Sequence, residues 1–315
     1  MDRSIKAWAA AGLLAASLGA PGHGRKTLCA GFLPENTMRI PVGDVHAAGI
    51  PQDMFNRVLD RVERIYAPIV ASKGGQLVVD RLWEDPTVNA YASQSGSEFH
   101  IAMFGGLARH EAITEDGFAL VACHEIGHHI GGFPKSWDWA TNEGAADYFA
   151  TLKCLRNVLT SDPEADPTAR AACAGSFSDP AALKRCRGGS MAGFSVTKLF
   201  TDLGQTPPPS FSSPDPSVVD VMDDSHPAAQ CRLDTYFQGA LCTKALSEEL
   251  SDADPVPGAC TRKQGFQSGL RPRCWYKPPA DEPEAPKPAA RLSLRDGDSF
   301  QKSLEALRGA WGDGA

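Results

Sequence analysis

The amino-acid sequence predicts an α+β fold. Three observations predict it: a helical run over 51–71, two strand-like runs over 76–83 and 88–104, and two consecutive helical runs after residue 114 whose ends carry His, Glu and Asp. In the first run Phe55, Val58, Leu59, Val62, Ile65 and Tyr66 recur at helical spacing, the pattern of an amphipathic helix. Gln76 to Trp83 and Val88 to Phe104 read as strands, and Ser93-Gln94-Ser95-Gly96 between the halves of the second reads as a hairpin turn. Thr114 is a good N-cap, and Glu115 and Asp116 put negative charge where the helix dipole favours it. Phe118, Val121, Ala122 and Ile126 supply an apolar face, and Gly131-Gly132 ends the helix. A loop with Pro134, Trp137 and Trp139 leads to a second helix, from Thr141 or Asn142 to about Leu159.

Further along, 161–179 reads as loop, Pro180 to Leu203 as helical, 204–216 as an exposed Pro/Ser-rich loop and Pro227 to Leu246 as another helix. Pro278, Pro279, Pro283, Pro286 and Pro288 mark an extended linker, followed by a weakly helical tail over Ser299 to Arg308. The expected organisation is an export signal over 1–24, one globular domain over 25–275, a Pro-rich linker over 276–291 and a tail over 292–315.

Composition narrows the function classes. With 42% hydrophobic and 22% charged residues in 315, the chain has ordinary globular character and enough length for a sizeable core. Net charge is −7 and no Lys/Arg run occurs, so nucleic acid is not an expected partner. Arg3 and Lys6 precede an apolar stretch from Ala7 to Leu18, then Gly19, Ala20 and Gly22. That is the pattern of a cleaved export signal, too short for a comfortable membrane span. No other long apolar run follows, so no stable membrane insertion is expected after signal removal. An uncleaved anchor is the competing reading. The nine cysteines contain no CxxC pair, which argues for disulfides in an oxidising compartment, periplasmic or extracellular, rather than a zinc ribbon. Cys173 with Cys186 and Cys260 with Cys274 are the expected local bridges, and Cys123, within an apolar helical run, is the expected unpaired thiol.

Residues 124–129 read His-Glu-Ile-Gly-His-His. In this HExxH pattern His124 and His128 lie one helical turn apart, so both imidazoles can reach one ion, while Glu125 lies at the edge of that face. Zinc suits such a site because it acts as a Lewis acid on bound water, with Glu125 as general base. A helix with surface histidines is the bland alternative. A third ligand is offered by Glu143, which with Asp147 forms an i, i+4 pair at the start of the next helix. Asp147 would orient a ligand imidazole through its other N–H. Gly144, Ala145 and Ala146 between them permit close helix packing. An ordinary acidic helix start is the other reading of this pair.

HExxH followed by Glu-x-x-x-Asp resembles the gluzincin metallopeptidases, and more closely metallopeptidase family 48, the prenyl-protein endopeptidases and heat-shock protease-like enzymes. The resemblance rests on 88–91 with 100–107, on Thr114 to His128, and on His226-Pro227 with Arg232. It implies a zincin-like fold, with a small sheet and edge strand over the active-site helix. It implies His124, His128 and Glu143 as ligands of one catalytic Zn2+, Glu125 as base and Asp147 behind the ligands. It further implies His226 at the oxyanion, Arg232 supporting the acidic cluster, and an extended peptide lying along a strand that includes Asn89, Ala90, Met103 and Phe104. Only 14 residues separate His128 from Glu143, a short connection for that family, and its multiple membrane spans are absent here. Prenylated substrates are therefore not carried over.

The expected function is a secreted or periplasmic zinc metalloendopeptidase acting on a peptide or protein substrate. The rivals are a non-catalytic zinc module and a zinc amidase acting on cell-wall peptides. His129 points about 100° away from His128 on a helix and is expected at the surface or behind the ligands. His100 and His110 are expected to be ordinary, Tyr148 to be packed, and Trp137 and Trp139 either to rim a cleft or simply to pack.

Overall fold

The computed structural model describes residues 26–27, 31–45 and 47–283. The expected export signal over 1–24, Cys29, the second half of the linker (284–291) and the tail over 292–315 lie outside the described residues. The architecture is mixed α+β: a small sheet on one side, a set of helices on the other, and one central helix between them.

Helix α1 (Gln52–Ser72) buries Phe55, Val58, Leu59, Val62, Tyr66 and Val70, the stripe its periodicity predicts with Val70 added. Strands β1 (Lys26–Thr27), β2 (Gln76–Leu82), β3 (Ala90–Ser95) and β4 (Glu98–Phe104) form a sheet in the order β1-β3-β4-β2. β2 runs parallel to β4, β3 and β4 form an antiparallel hairpin, and β1 pairs antiparallel with β3. The hairpin turn falls two residues later than expected. Ser93, Gln94 and Ser95 stay in β3, paired with His100, Phe99 and Glu98. Gly96, at φ +59°, makes the reversal with Ser97, because a tight hairpin needs a positive φ that glycine adopts without strain.

After the short helix α2 (Gly105–Arg109) comes α3 (Glu115–Ile130), capped by Thr114 Oγ1 accepting from the Gly117 amide at 3.1 Å. Every residue from Asp116 to Ile130 is buried, so α3 is a central helix enclosed on all sides rather than one with a single apolar face. It packs on α1, β3 and β4, and on the helices that follow. The second expected helix is interrupted: α4 (Glu143–Phe149) passes through a π-helical turn over Ala150–Cys154 into α5 (Leu155–Val158). A wide turn of this kind shifts the helix phase, and here it contains Cys154, which faces Cys123 on α3 at a Cα separation of 5.5 Å.

Residues 161–179 are not all loop, since α6 (Pro167–Ser176) lies within them. Its Asp166 cap and first-turn Pro167 are sequence signals for a helix start, but its Ala-rich body carries little apolar periodicity. The helices α7 (Pro180–Thr197), α8 (Leu199–Asp202) and α9 (Ala229–Leu241) complete the fold. α9 stops before Cys242, five residues short of the expected end. In the stretch expected as linker, Tyr276 is buried and Glu282 accepts from the Arg262 amide at 2.9 Å.

Four disulfides join Cys123–Cys154, Cys173–Cys186, Cys231–Cys274 and Cys242–Cys260. Cys173–Cys186 is as expected. Cys123 is not an unpaired thiol, and Cys260 pairs with Cys242 rather than Cys274. Both corrections arise because helix packing, not nearness in sequence, decides which sulfurs meet. Cys123→Ala with Cys154→Ala should lower stability by about 2–4 kcal/mol, since the bridge closes a loop of 31 residues. An unchanged urea midpoint under non-reducing conditions would contradict the pairing.

Candidate metal centre

Two helices and one loop build the site. α3 presents His124 and His128 one turn apart near its C-terminal end. The chain then doubles back through 131–142, pinned by Thr141 N donating to His128 O at 2.8 Å and Thr141 Oγ1 donating to Gly132 O at 2.8 Å. Asn142 caps α4, accepting from the Ala145 amide at 2.9 Å, which puts Glu143 at the first helical position facing the histidines. Gly127 lets the two helices close up, since a Cβ there would sit 3.0 Å from Ala146 Cα.

The donor atoms converge. His124 Nε2 and His128 Nε2 are 3.1 Å apart. Glu143 Oε2 lies 3.3 Å from His124 Nε2, and Oε1 lies 3.7 Å from His128 Nε2. Tetrahedral zinc bonds of about 2.0–2.2 Å separate neighbouring donors by about 3.3–3.6 Å, and the three distances, 3.1–3.7 Å, bracket that spacing. Each imidazole has its other nitrogen engaged. His128 Nδ1 donates to Thr141 O at 2.9 Å, and His124 Nδ1 lies 2.7 Å from Asp147 Oδ1. Both Nε2 atoms are thereby left to face the common point. His124, Glu125, His128 and Glu143 are each at most 1% exposed, which rules out a solvated helix face with incidental histidines. Glu125 Oε1 is buried with no hydrogen-bond partner among the described residues, as befits a group kept for something other than packing. The His124–His128–Glu143 cluster can hold a metal ion. Among the described residues the other close grouping of potential ligands, Asp215 with Cys231 and Cys274, has both sulfurs tied in a disulfide.

Burial and charge pull the site's ionisations apart. Burial lowers His128 to about 4 against the opposing charge of Glu143, so this imidazole is neutral at pH 7. Burial also works against charge on His124, but Asp147 and Glu143 outweigh it and raise its pKa to about 9. Glu143 sits well below the usual carboxylate range, because the two histidines more than offset its burial. Without metal, then, a proton on His124 sits among the three donors, where a cation would replace it. Burial raises Glu125 to about 8, an effect that a neighbouring divalent cation opposes.

Behind His124 stands a buried clamp. Arg232 donates through Nε to Asp147 Oδ2 at 2.8 Å and through Nη2 to Oδ1 at 2.7 Å. Tyr236 Oη donates to the same Oδ1 at 2.5 Å. Burial disfavours both charges, yet Asp147 holds Arg232 above its ordinary pKa, and Arg232 with His124 holds Asp147 below its own. His226 Nε2 lies 3.5 Å from Glu143 Oε1, so it joins the cluster from outside α3 and α4. Sequence reasoning missed Tyr236 and Thr141. The i, i+4 spacing of Arg232 and Tyr236 on α9 was a usable signal for the first, whereas a backbone carbonyl leaves none.

Other expected site residues fall as follows. Asn89 and Ala90 lie beside or on β3, the strand whose outer edge meets, among the described residues, β1 and the 31–40 stretch. Met103 is wholly buried and Phe104 half-buried on β4, which lies between β3 and β2 and so offers no free edge. His129 is not at the surface. It is buried, stacked between Phe99 and Trp139 at 4.7 and 5.0 Å, and its Nε2 donates to His100 O at 3.1 Å. Trp139 thus packs, while Trp137 is exposed. Tyr148 is packed and donates to Gly269 O at 2.5 Å. His100 contacts Asp80 and Glu98, and His110 contacts Asp202.

The chain matches no protein-family model, no curated protein and no solved structure, so the functional reading rests on the site's own geometry.

Proposed function

We propose that this protein is a zinc-dependent endopeptidase of the gluzincin kind, with a zincin-like arrangement of sheet and active-site helix. The observation that carries the reading is the convergence of His124 Nε2, His128 Nε2 and Glu143 within 3.1–3.7 Å, with Glu125 beside the first ligand. When bound, zinc supplies Lewis acidity to a water molecule and to a peptide carbonyl. Glu125 accepts the proton of the attacking water and returns it to the leaving nitrogen. His226 Nε2 donates to the carbonyl oxygen on which negative charge collects. Asp147, itself gripped by Arg232 and Tyr236, holds the His124 ring in register, and the Thr141 carbonyl does the same for His128. Export to an oxidising compartment is supported by the four disulfides. Among the described residues no helix is long and apolar enough to cross a membrane.

A closed, non-catalytic zinc module is the second reading, favoured by the burial of all three ligands. Glu125 argues against it, because a structural site has no use for a buried carboxylate beside its ligands. Elemental analysis tests the site itself. Wild-type protein should carry about one zinc, and His124→Ala and Glu143→Ala should each lose it. Zinc kept in Glu143→Ala would remove Glu143 from the ligand set, and with it this assignment.

A further inference from the structure

A piece of the same chain lies against the metal site. Residues 26–27 and 31–40 lie antiparallel along the outer edge of 86–94. Lys26 pairs with Gln94 and Thr27 with Ser93, Phe32 N donates to Ala90 O at 2.9 Å, and Ile40 N donates to Pro86 O at 2.9 Å. The short stretch Gly31 to Leu33 is held by groups around the metal site. The Gly31 carbonyl accepts from His226 Nε2, and the Phe32 carbonyl accepts from Arg232 Nη1 at 2.5 Å. Asn89 takes both polar groups of Leu33, accepting from its amide at 2.8 Å and donating to its carbonyl at 3.1 Å. The Phe32 ring stands edge-on to His124 with centroids 5.1 Å apart. Gly31 has φ +100°, and a Cβ there would fall 2.6 Å from Ala90 O and 2.8 Å from Asn89 Oδ1.

Gly31 to Leu33 forms a bend held to the sheet edge by main-chain bonds, the same means by which a sheet edge holds a bound peptide, with side-chain pockets to select it. Here the bend brings one carbonyl to a histidine 3.5 Å from a metal ligand. We propose that Gly31-Phe32-Leu33 occupies the substrate's place beside β3, so that the chain blocks its own groove and, by its sequence, names the class it takes: a peptide with a glycine, then an aromatic residue, then an aliphatic one. The inference rests on the peptidase reading above. A tethered occupant competes at about millimolar effective concentration, so a free peptide binds only to the fraction of molecules whose segment has left.

The test uses full-length, zinc-loaded protein carrying Glu125→Gln, to prevent cleavage, and a labelled acetyl-Gly-Phe-Leu-Pro-Glu peptide read by fluorescence anisotropy. Adding Gly31→Val should unseat the segment and tighten peptide binding by roughly tenfold or more. A control peptide with Gly and Phe exchanged should bind no better than to the unaltered groove. As a guard against misfolding of Gly31→Val, a specific protease site placed between Glu35 and Asn36 opens the segment after folding is complete. Cutting there should produce the same gain. Zinc content is measured in the same samples. About one zinc per chain with peptide affinity unchanged in both opened forms overturns the self-occupied groove and leaves the metal site standing. Equal binding of the two peptides overturns the proposed substrate class. Absence of zinc throughout overturns the peptidase reading and this inference with it.

Discussion

Glu125→Gln is expected to keep about one zinc per chain and the wild-type fold while losing turnover by roughly 10²–10⁴-fold, the range for removal of a general base. Measured in the Gly31→Val background, where the groove is open, the loss reports on chemistry rather than on access. The substitution suits the purpose because Gln keeps the shape of the buried Glu125 side chain. A neutral isostere therefore removes the proton acceptor without leaving a charge unpaired. Thermal unfolding with and without zinc checks that the fold survives. Turnover retained in the zinc-loaded variant would show that Glu125 is not the base, and the mechanism would have to be sought elsewhere.

Arg232→Met is expected to carry the largest stability cost of any single change in the site, about 3–5 kcal/mol. Both members of the pair are wholly buried, and Met replaces much of the volume while removing two charge-assisted bonds to Asp147. The cost comes from stranding the Asp147 carboxylate, which would keep only Tyr236 and His124 as partners. Arg232 also stacks on Phe32 at 4.3 Å, so some packing is lost as well. Zinc affinity should fall by roughly 10–100-fold, the usual cost of loosening the group that orients a ligand histidine. Urea unfolding of the single variants Arg232→Met and Asp147→Asn and of their combination isolates the coupling between the two. A loss below about 1 kcal/mol for Arg232→Met would mean that the pair contributes little beyond what solvent could replace.

The parts of the site that were legible beforehand are those written in local spacing. His124 and His128 at i, i+4, Glu125 between them, and Glu143 with Asp147 at the next helix start can be read because helix geometry is regular. The Thr114 cap and the Gly131-Gly132 stop could be read for the same reason. The α1 stripe was equally plain, since one face of an exposed-and-buried helix must alternate. α3 was harder: its residues past Glu115 are all buried, and a helix enclosed on every side carries little periodic signal. The π-helical turn at 150–154 had no sequence mark, because no residue type demands it. The hairpin turn was misplaced because Ser93-Gln94-Ser95 is polar and turn-like, yet cross-strand pairing to 98–100 held it extended.

By itself the sequence determined the mixed α and β elements and the pair of helices that carry the donors, because each depends on contacts within a few residues. The tertiary structure alone decided which cysteines meet, as in Cys231–Cys274 across 43 residues, and that His129 is enclosed between Phe99 and Trp139. It also decided that Tyr236 and Arg232 reach Asp147 from 85–89 residues away. The seat of Gly31-Phe32-Leu33 belongs to the same class, since Arg232 meets Phe32 across 200 residues. Contacts at such separations have no period or spacing to betray them. They exist only when the closure of long loops is repaid by burial and by satisfied polar groups in the finished fold.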